Sequence, residues 1–247
     1  MPGSRNLPDS NRYSLGLTPY EWALKKEGIV DKKSILDVGC GPGMWTLAAA
    51  RLNPRAFIIG TDINEEKLVA ANRYSEKYSL RNCCFQHISY KELPMHFEKE
   101  SFDVIICNSV LQYIDEKKVI TIFSNLLKEN GTLLMYYNHS YGYFIDKLLL
   151  GLIKRDLRAV VGNFRVLLYN ILVIRRNGEP PSSHPITLGS LKKITSEVGI
   201  ILTHIDNGSN DYLSKIEVNH SKKVKSDHKF YLGIPYVVSC KGVKQAV

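Results

Sequence analysis

No CxxC pair occurs in this chain of 247 residues. Its five cysteines (Cys40, Cys83, Cys84, Cys107 and Cys240) are odd in number and irregularly spaced. That excludes a disulfide framework or a zinc ribbon, predicts no metal site, and points to reduced, mostly buried thiols in a cytoplasmic protein. No apolar run reaches the roughly 20 uncharged residues that a membrane span requires. The opening "MPGSRNLPDSNRYS" lacks the apolar core of a signal peptide and reads as a poorly ordered or closing arm. There is no internal repeat and no low-complexity tract, and "SKKVKSDHK" reads as a short solvated connection.

Acid is also in short supply. Lys and Arg number 33 against 24 Asp and Glu, a formal charge of +9. The excess is uneven. Between residues 143 and 176 lie Lys147, Lys154, Arg155, Arg158, Arg165, Arg175 and Arg176 against Asp146 and Asp156, a net +5. Such a segment is either a solvated face or a surface for nucleic acid, an anionic small molecule or a lipid headgroup.

With 44% hydrophobic and 23% charged residues, the composition is that of an ordinary soluble globular protein. Strand-like runs at Ser34–Val38, Ala56–Gly60, Cys83–His87, Phe102–Cys107 and Gly131–Tyr137 alternate with "MWTLAAARL", "NEEKLVAANRYSEKYS" and "KKVITIFSNLLKEN", whose apolar residues recur at helical spacing. Alternation of this kind predicts a parallel, doubly wound sheet. "ENGTL" reads as a helix stop, with Gly131 as a left-handed cap. The alternation then breaks. "YFIDKLLLGLIKR" and "NFRVLLYNILVIRR" are apolar helical stretches with basic ends, and "NGEPPSSHP" is a loop. An amphipathic helix "TLGSLKKITSEVG", ending at Gly199, precedes the strand "IILTHID", and "FYLGIPYVVSCKG" is the last strand. The chain reads as a single domain over 1–247, with an N-terminal arm or helix over 1–30 and an inserted helical lid over 140–185.

Chemistry concentrates in "ILDVGCGPGMWT". Gly39, Gly41 and Gly43 follow the first strand in a G-x-G-x-G pattern. This is not the G-x-G-x-x-G of a dinucleotide site, and no Lys-Ser or Lys-Thr follows as in a P-loop. A second strand ends at Asp62, where a carboxylate can accept hydrogen bonds from both hydroxyls of a ribose. At this point the chain resembles the class I S-adenosylmethionine-dependent methyltransferases. "ILDVGCGPG", "IIGTDIN", "CCFQHISYKELP", "FDVIICNSVLQYI" and "LLKENGTLLMYY" match five family motifs in order across residues 34–137.

The resemblance implies a Rossmann-like seven-stranded sheet whose last strand is antiparallel. It implies S-adenosylmethionine as cofactor and S-adenosylhomocysteine as product. Asp37 and the Gly39 backbone would hold the methionine ammonium group, with Cys40 in the same loop. Gly41 and Gly43 would let the backbone approach the ribose and thioether. Asp62 would take the ribose hydroxyls, and Ile63 would pack on adenine. Ser89 and Tyr90 fill the adenine loop, where Ser89 replaces the family's usual Asp, and Asn108 faces the methionine end.

The sulfonium is already activated, so methyl transfer asks for alignment and, for a hydroxyl or amine acceptor, a general base. His139 in "YYNHSYG" leaves the C-terminal edge of the fifth strand and is the first choice, with His184 the second. Gln112, Tyr113 and Tyr141 are expected on the acceptor side, while His87, His204 and His220 read as structural or exposed.

The leading expectation is O-methylation of a small-molecule acceptor, sugar-like or lipid-linked, with an anionic or glycan-related group to match the basic lid. The apolar lid would also serve a homodimer or a peripheral membrane contact. The alternative is an RNA-modifying enzyme: "LLMYYNHSYG", "SNDYL" and "FYLGIPYVVSCKG" faintly resemble a bacterial methyltransferase that esterifies carboxymethoxyuridine in tRNA. A nucleic-acid partner is not favoured, because no RNA-binding module is appended. A third reading is a cofactor-binding interaction protein without catalysis.

Overall fold

Most central strands carry apolar residues on both faces, so each face of the sheet must be covered. The computed structural model describes residues 16–138, 186–206 and 237–246, with shorter pieces between 152 and 164 and at 230–231 and 234–235. Its strands are β1 (Ser34–Val38), β2 (Phe57–Asp62), β3 (Cys83–His87), β4 (Phe102–Asn108), β5 (Leu127–Asn138), β6 (Ile200–Asp206), β7 (Phe230–Tyr231), β8 (Ile234–Pro235) and β9 (Val237–Lys244). Seven of them form one sheet in the order β3-β2-β1-β4-β5-β9-β6, and β7 pairs with β8. β1 to β5 are parallel, and β9 inserts antiparallel between β5 and β6. The doubly wound expectation with an antiparallel last strand therefore holds.

The helices are α1 (Thr18–Lys26), α2 (Met44–Leu52), α3 (Glu65–Lys77), α4 (Leu93–His96), α5 (Glu116–Leu126) and α6 (Leu188–Glu197). Three begin on side-chain caps: Asn64 accepts from Lys67 N–H, Asp115 from Lys118 N–H and Thr187 from Ser190 N–H. Gly199 follows α6 in the left-handed conformation, φ 76°, as its sequence position predicts. Alternate strand residues feed two cores. Ile35, Ile58, Val104, Ile106 and Leu134 pack with α1 and α2. Leu36, Ile59, Ile105, Leu133 and Met135 pack with α5 and α6.

Part of the expected N-terminal segment is α1, which is anchored at both ends. Tyr20 meets Trp45 edge-on at 5.3 Å, while buried Glu27 pairs with His204 Nδ1 at 3.1 Å and its carbonyl accepts from Lys241 Nζ at 2.7 Å. These contacts tie α1 to α2, β6 and β9.

Three boundaries differ from the sequence reading. The strand-like run at Ala56–Gly60 becomes Phe57–Asp62, ending at Asp62 where the second strand was read to end, because its pairing with β1 and β3 continues past Gly60. β5 starts at Leu127, opposite Phe102, and the register then slips before Val104 pairs with Thr132. The left-handed residue at that irregularity is Asn130, φ 59°, not Gly131. Gly131 is needed for space, since a Cβ there would lie 2.7 Å from the Lys128 carbonyl. The last strand does not run through 230–242. Phe230 instead pairs antiparallel with Pro235 and Tyr231 with Ile234, and the pairing with β5 begins at Val237.

The loop before β1 is held by one buried amide. Asn53 accepts from Lys32 N–H at 2.9 Å and donates to the carbonyls of Ala49 at 2.9 Å and Ile29 at 3.3 Å. Asn53→Ala removes the side-chain partner of Lys32 N–H and of the Ile29 carbonyl, while the Ala49 carbonyl keeps the Asn53 backbone N–H, and should cost about 1–3 kcal/mol. Urea unfolding should show a lower midpoint at unchanged slope; an unchanged midpoint would show that water replaces the amide without loss.

Candidate active site

The sheet order reverses at β1, which lies between β2 and β4, and in doubly wound sheets ligands bind at the C-terminal ends of such strands. The glycine loop leaves β1 at that point. Gly39, Gly41 and Gly43 all have positive φ, at 71°, 55° and 84°, which L side chains rarely adopt. Their surroundings differ. A Cβ on Gly39 would fall 2.2 Å from Val110 Cγ2, and one on Gly43 would fall 2.7 Å from the Phe85 ring. A Cβ on Gly41 would meet only Lys67 Cδ, at 3.9 Å. At Gly39 and Gly43 protein fills the space a Cβ would take, whereas at buried Gly41 a Cβ would touch only the flexible Lys67 side chain.

The loop is clamped to β2. The Thr61 carbonyl accepts from both Gly39 N–H, at 2.7 Å, and Cys40 N–H, at 2.9 Å. Asp62 Oδ2 accepts from Gly41 N–H at 2.8 Å and Oδ1 from Asn64 N–H at 2.9 Å. Each carboxylate oxygen thus has one protein donor and a lone pair to spare. Asp37 is 1% exposed and accepts from Thr46 Oγ1 at 2.6 Å. Burial drives its pKa up from 3.8 to about 7; the Thr46 hydrogen bond opposes the rise and the Asp62 charge adds to it. A carboxyl in this state favours a cation beside it. Burial also pushes the Cys40 thiol up, with the charges of Asp37 and Asp62 adding to the effect, so Cys40 packs as a neutral group rather than serving as a nucleophile.

The ends of β2, β3 and β4 bring up the remaining candidates. Ile63 is 72% exposed beside Asp62. Ser89 N–H donates to Glu92 Oε2 at 2.9 Å, and the Tyr90 side chain lies in the core. Half-buried Asn108 ends β4 and accepts from Ser109 Oγ at 3.1 Å. Gln112 is buried and donates through Nε2 to the Ser109 carbonyl at 3.0 Å, while its Oε1 has no hydrogen-bond partner. Tyr113 is exposed. His139, Tyr141 and His184 lie outside the described residues, as does His220. His87 is exposed near Glu65, and His204 is bound to Glu27. Among the described residues no cluster of His, Cys, Asp or Glu could hold a metal.

Sequence reasoning missed Thr46, Gly60, Ser109 and Val110. Thr46 lies within "MWTLAAARL" and reads there as one more helical residue. A Cβ on Gly60 would sit 2.9 Å from Thr46 Oγ1 and from Cys40 Sγ, so Gly60 makes room for the side chain that bonds Asp37. A glycine inside an apolar strand signals close approach, and that signal was available. Ser109 takes φ 57°, which nothing in "CNSVL" announces.

The buried Asp37 makes stability depend on pH. Its folded pKa, about 7, lies above the ordinary 3.8, so the unfolded chain releases its proton first as pH rises. The contribution is complete below the ordinary value and is lost as pH climbs through the folded one. In the ligand-free protein, Asp37→Asn should therefore gain stability relative to the parent between about pH 4 and 7. Urea midpoints of both proteins across that range test this, and parallel curves would show that Asp37 ionises without cost.

With this geometry in view, the comparisons are direct. A family profile described as a methyltransferase domain matches residues 29–160, more than half of the chain. The ubiquinone biosynthesis O-methyltransferase of Glaesserella parasuis serovar 5 (strain SH0165) is 35% identical over 113 residues, covering 44% of this chain and 46% of that protein. The protein of the same name from Actinobacillus pleuropneumoniae serotype 5b (strain L20) is 34% identical over 114 residues, covering 44% and 47%. The chain thus spans about half the length of the curated relatives it matches. Two solved structures share the fold. Geranyl diphosphate C-methyltransferase from Streptomyces coelicolor A3(2) has a TM-score of 0.66 at 12% identity, covering 97% of this chain and 84% of that one. A sarcosine dimethylglycine methyltransferase homologue from Galdieria sulphuraria has a TM-score of 0.64 at 15% identity, covering 93% and 86%. The chain belongs to the methyltransferase-domain family, as a class I member of the S-adenosylmethionine-dependent methyltransferases.

Proposed function

We propose that this chain transfers a methyl group from S-adenosylmethionine to an oxygen of a small-molecule acceptor, sugar-like or lipid-linked, and releases S-adenosylhomocysteine. The observation that carries the cofactor half is the pair of carboxylates at adjacent strand ends around Gly41. Asp37 is buried with a raised pKa and suits an ammonium group. Asp62 has its two oxygens oriented by Gly41 and Asn64 N–H groups and spare lone pairs for two ribose hydroxyls. The Gly41 backbone carries no Cβ and has only the flexible Lys67 side chain in contact with that position, which suits close approach of a ligand. In this reading the Gly39 to Gly43 loop lines the cofactor, Ile63 offers an apolar face to adenine, Ser89 and Tyr90 border the same base, and Asn108 stands at the methionine end.

The bound cofactor supplies a methyl group that is already activated, so the protein's work is alignment and, for a hydroxyl acceptor, removal of one proton. His139 follows directly on β5 and is our candidate base, with His184 the second choice. Residues 140–185 form the acceptor lid, and Gln112, Tyr113 and Tyr141 line the acceptor side. Oxygen as the methylated atom is supported by the names of the two O-methyltransferase relatives, whose similarity covers 44% of this chain.

Two measurements test this reading. Asp62→Ala removes a charged acceptor whose hydrogen bonds are worth about 1.5–3 kcal/mol each, so calorimetry should show S-adenosylmethionine binding at least about tenfold weaker. Unchanged affinity removes the ribose assignment. His139→Ala should lower kcat by about 10²–10⁴-fold at unchanged cofactor affinity, and the pH–rate profile should lose an ionisation near about 6.5. A fully active variant removes the base, as expected if the acceptor is a carboxylate. Methyl label recovered on nitrogen, carbon or RNA would overturn the acceptor class.

A further inference from the structure

The basic excess between residues 143 and 176 is not used by the cofactor site. Within that stretch the described residues place five large apolar side chains in solvent: Leu152, Ile153, Leu157, Val161 and Phe164, between 47% and 77% exposed. Leu157, Val161 and Phe164 occupy helical positions at i, i+4 and i+7, which puts them on one face. Val160 N–H donates to the Asp156 carbonyl at 3.0 Å, so Asp156 opens this helical turn. Arg155 and Arg158 are exposed beside the apolar residues, as is Asp156. An exposed apolar stripe edged by cations is the pattern of a helix that lies in a membrane interface. Isolated surface apolar residues need no explanation, but a run of five does.

We infer that this segment docks the enzyme on an anionic lipid bilayer, with Leu157, Val161 and Phe164 in the acyl boundary and Arg155 and Arg158 on the headgroups. Charge selects this occupant. The segment carries a net +5, so a second copy would set like charges against one another, whereas an anionic headgroup layer neutralises them. RNA would be gripped through phosphates and aromatic platforms, and the exposed side chains here are mainly aliphatic. Among the described residues no helix is long and apolar enough to cross a membrane. The segment follows β5 in the chain, and β5 ends at the same sheet edge as Asp62 and Asn108. Docking there turns that edge toward the bilayer, where a lipid-linked acceptor would be held. The inference thus extends the proposed acceptor class, but its test reads binding alone.

The test is co-sedimentation of the full chain with phosphatidylcholine vesicles, with and without phosphatidylglycerol. The parent should pellet with the anionic vesicles, and added salt should release it. Leu157→Glu combined with Val161→Glu should lower the partition coefficient at least about tenfold, since each buried apolar side chain contributes substantially to insertion. Arg155→Ser and Arg158→Ser should each lower it about fivefold on anionic vesicles and leave binding to neutral ones unchanged. Unchanged circular dichroism and S-adenosylmethionine affinity certify that the variants are folded. The inference is overturned if the parent ignores anionic vesicles, or if the glutamate variant binds them equally well. It is also overturned if the parent is a dimer that Leu157→Glu dissociates and that does not bind lipid. A chain that binds vesicles but not the cofactor would sink the proposed function and leave this inference standing.

Discussion

The loop after β1 packs so closely against β2, β3 and the residues after β4 that three backbone positions there can carry no side chain. Val110 takes the space in front of Gly39, Phe85 that in front of Gly43, and Cys40 and Thr46 that in front of Gly60. Everything else at the edge follows from this contact. Because Gly60 is bare, Thr46 can reach Asp37 at 2.6 Å. Because the loop turns on left-handed residues, its N–H groups point at β2, where Thr61 and Asp62 accept them. The geometry of the loop is held by the strands it leaves and meets, and does not wait for a ligand.

That packing has an electrostatic cost. A carboxyl whose hydrogen bonds come from Thr46 is buried beside a second acid, and its ionised form is disfavoured. A methionine ammonium in the proposed site would offset the cost by providing the missing charge. Stability and affinity are then opposed at one residue, which is common where a binding site is built in advance of its ligand. The cysteines illustrate the opposite case. All five are free; burial pushes the Cys107 thiol up, with Asp37 adding to it, and raises Cys240 to about 11, so they serve as neutral packing groups.

Most of the fold was legible because strands with apolar residues on both faces and helices with one apolar stripe have different periods. β6 and β3 match their sequence boundaries, and the caps at Asn64, Asp115 and Thr187 mark helix starts with an oxygen where an N–H needs one. Errors fell where pairing overrides local pattern. Leu127 to Asn130 read as the end of a helix, yet Leu127 pairs with Phe102. Phe230 to Gly242 read as one strand, yet Phe230 and Tyr231 pair antiparallel with Pro235 and Ile234.

By itself the sequence determined the cofactor half of the protein. "DVGCGPG" and Asp62 are local signals, and their chemistry depends on residue type and strand order alone. Only the tertiary structure decided why each glycine is there. Whether a missing Cβ faces Val110, Phe85 or only the end of Lys67 depends on residues more than 20 positions away, which no local pattern encodes. The same holds for Asp37, whose raised pKa arises from burial under α2 and the nearness of Asp62, and for Ser109, whose left-handed backbone is held by a hydrogen bond from its N–H to the Tyr136 carbonyl. Composition counts charges and apolar residues but not their neighbours. The packing assigns Asp37 to the interior and leaves Leu157, Val161 and Phe164 in solvent.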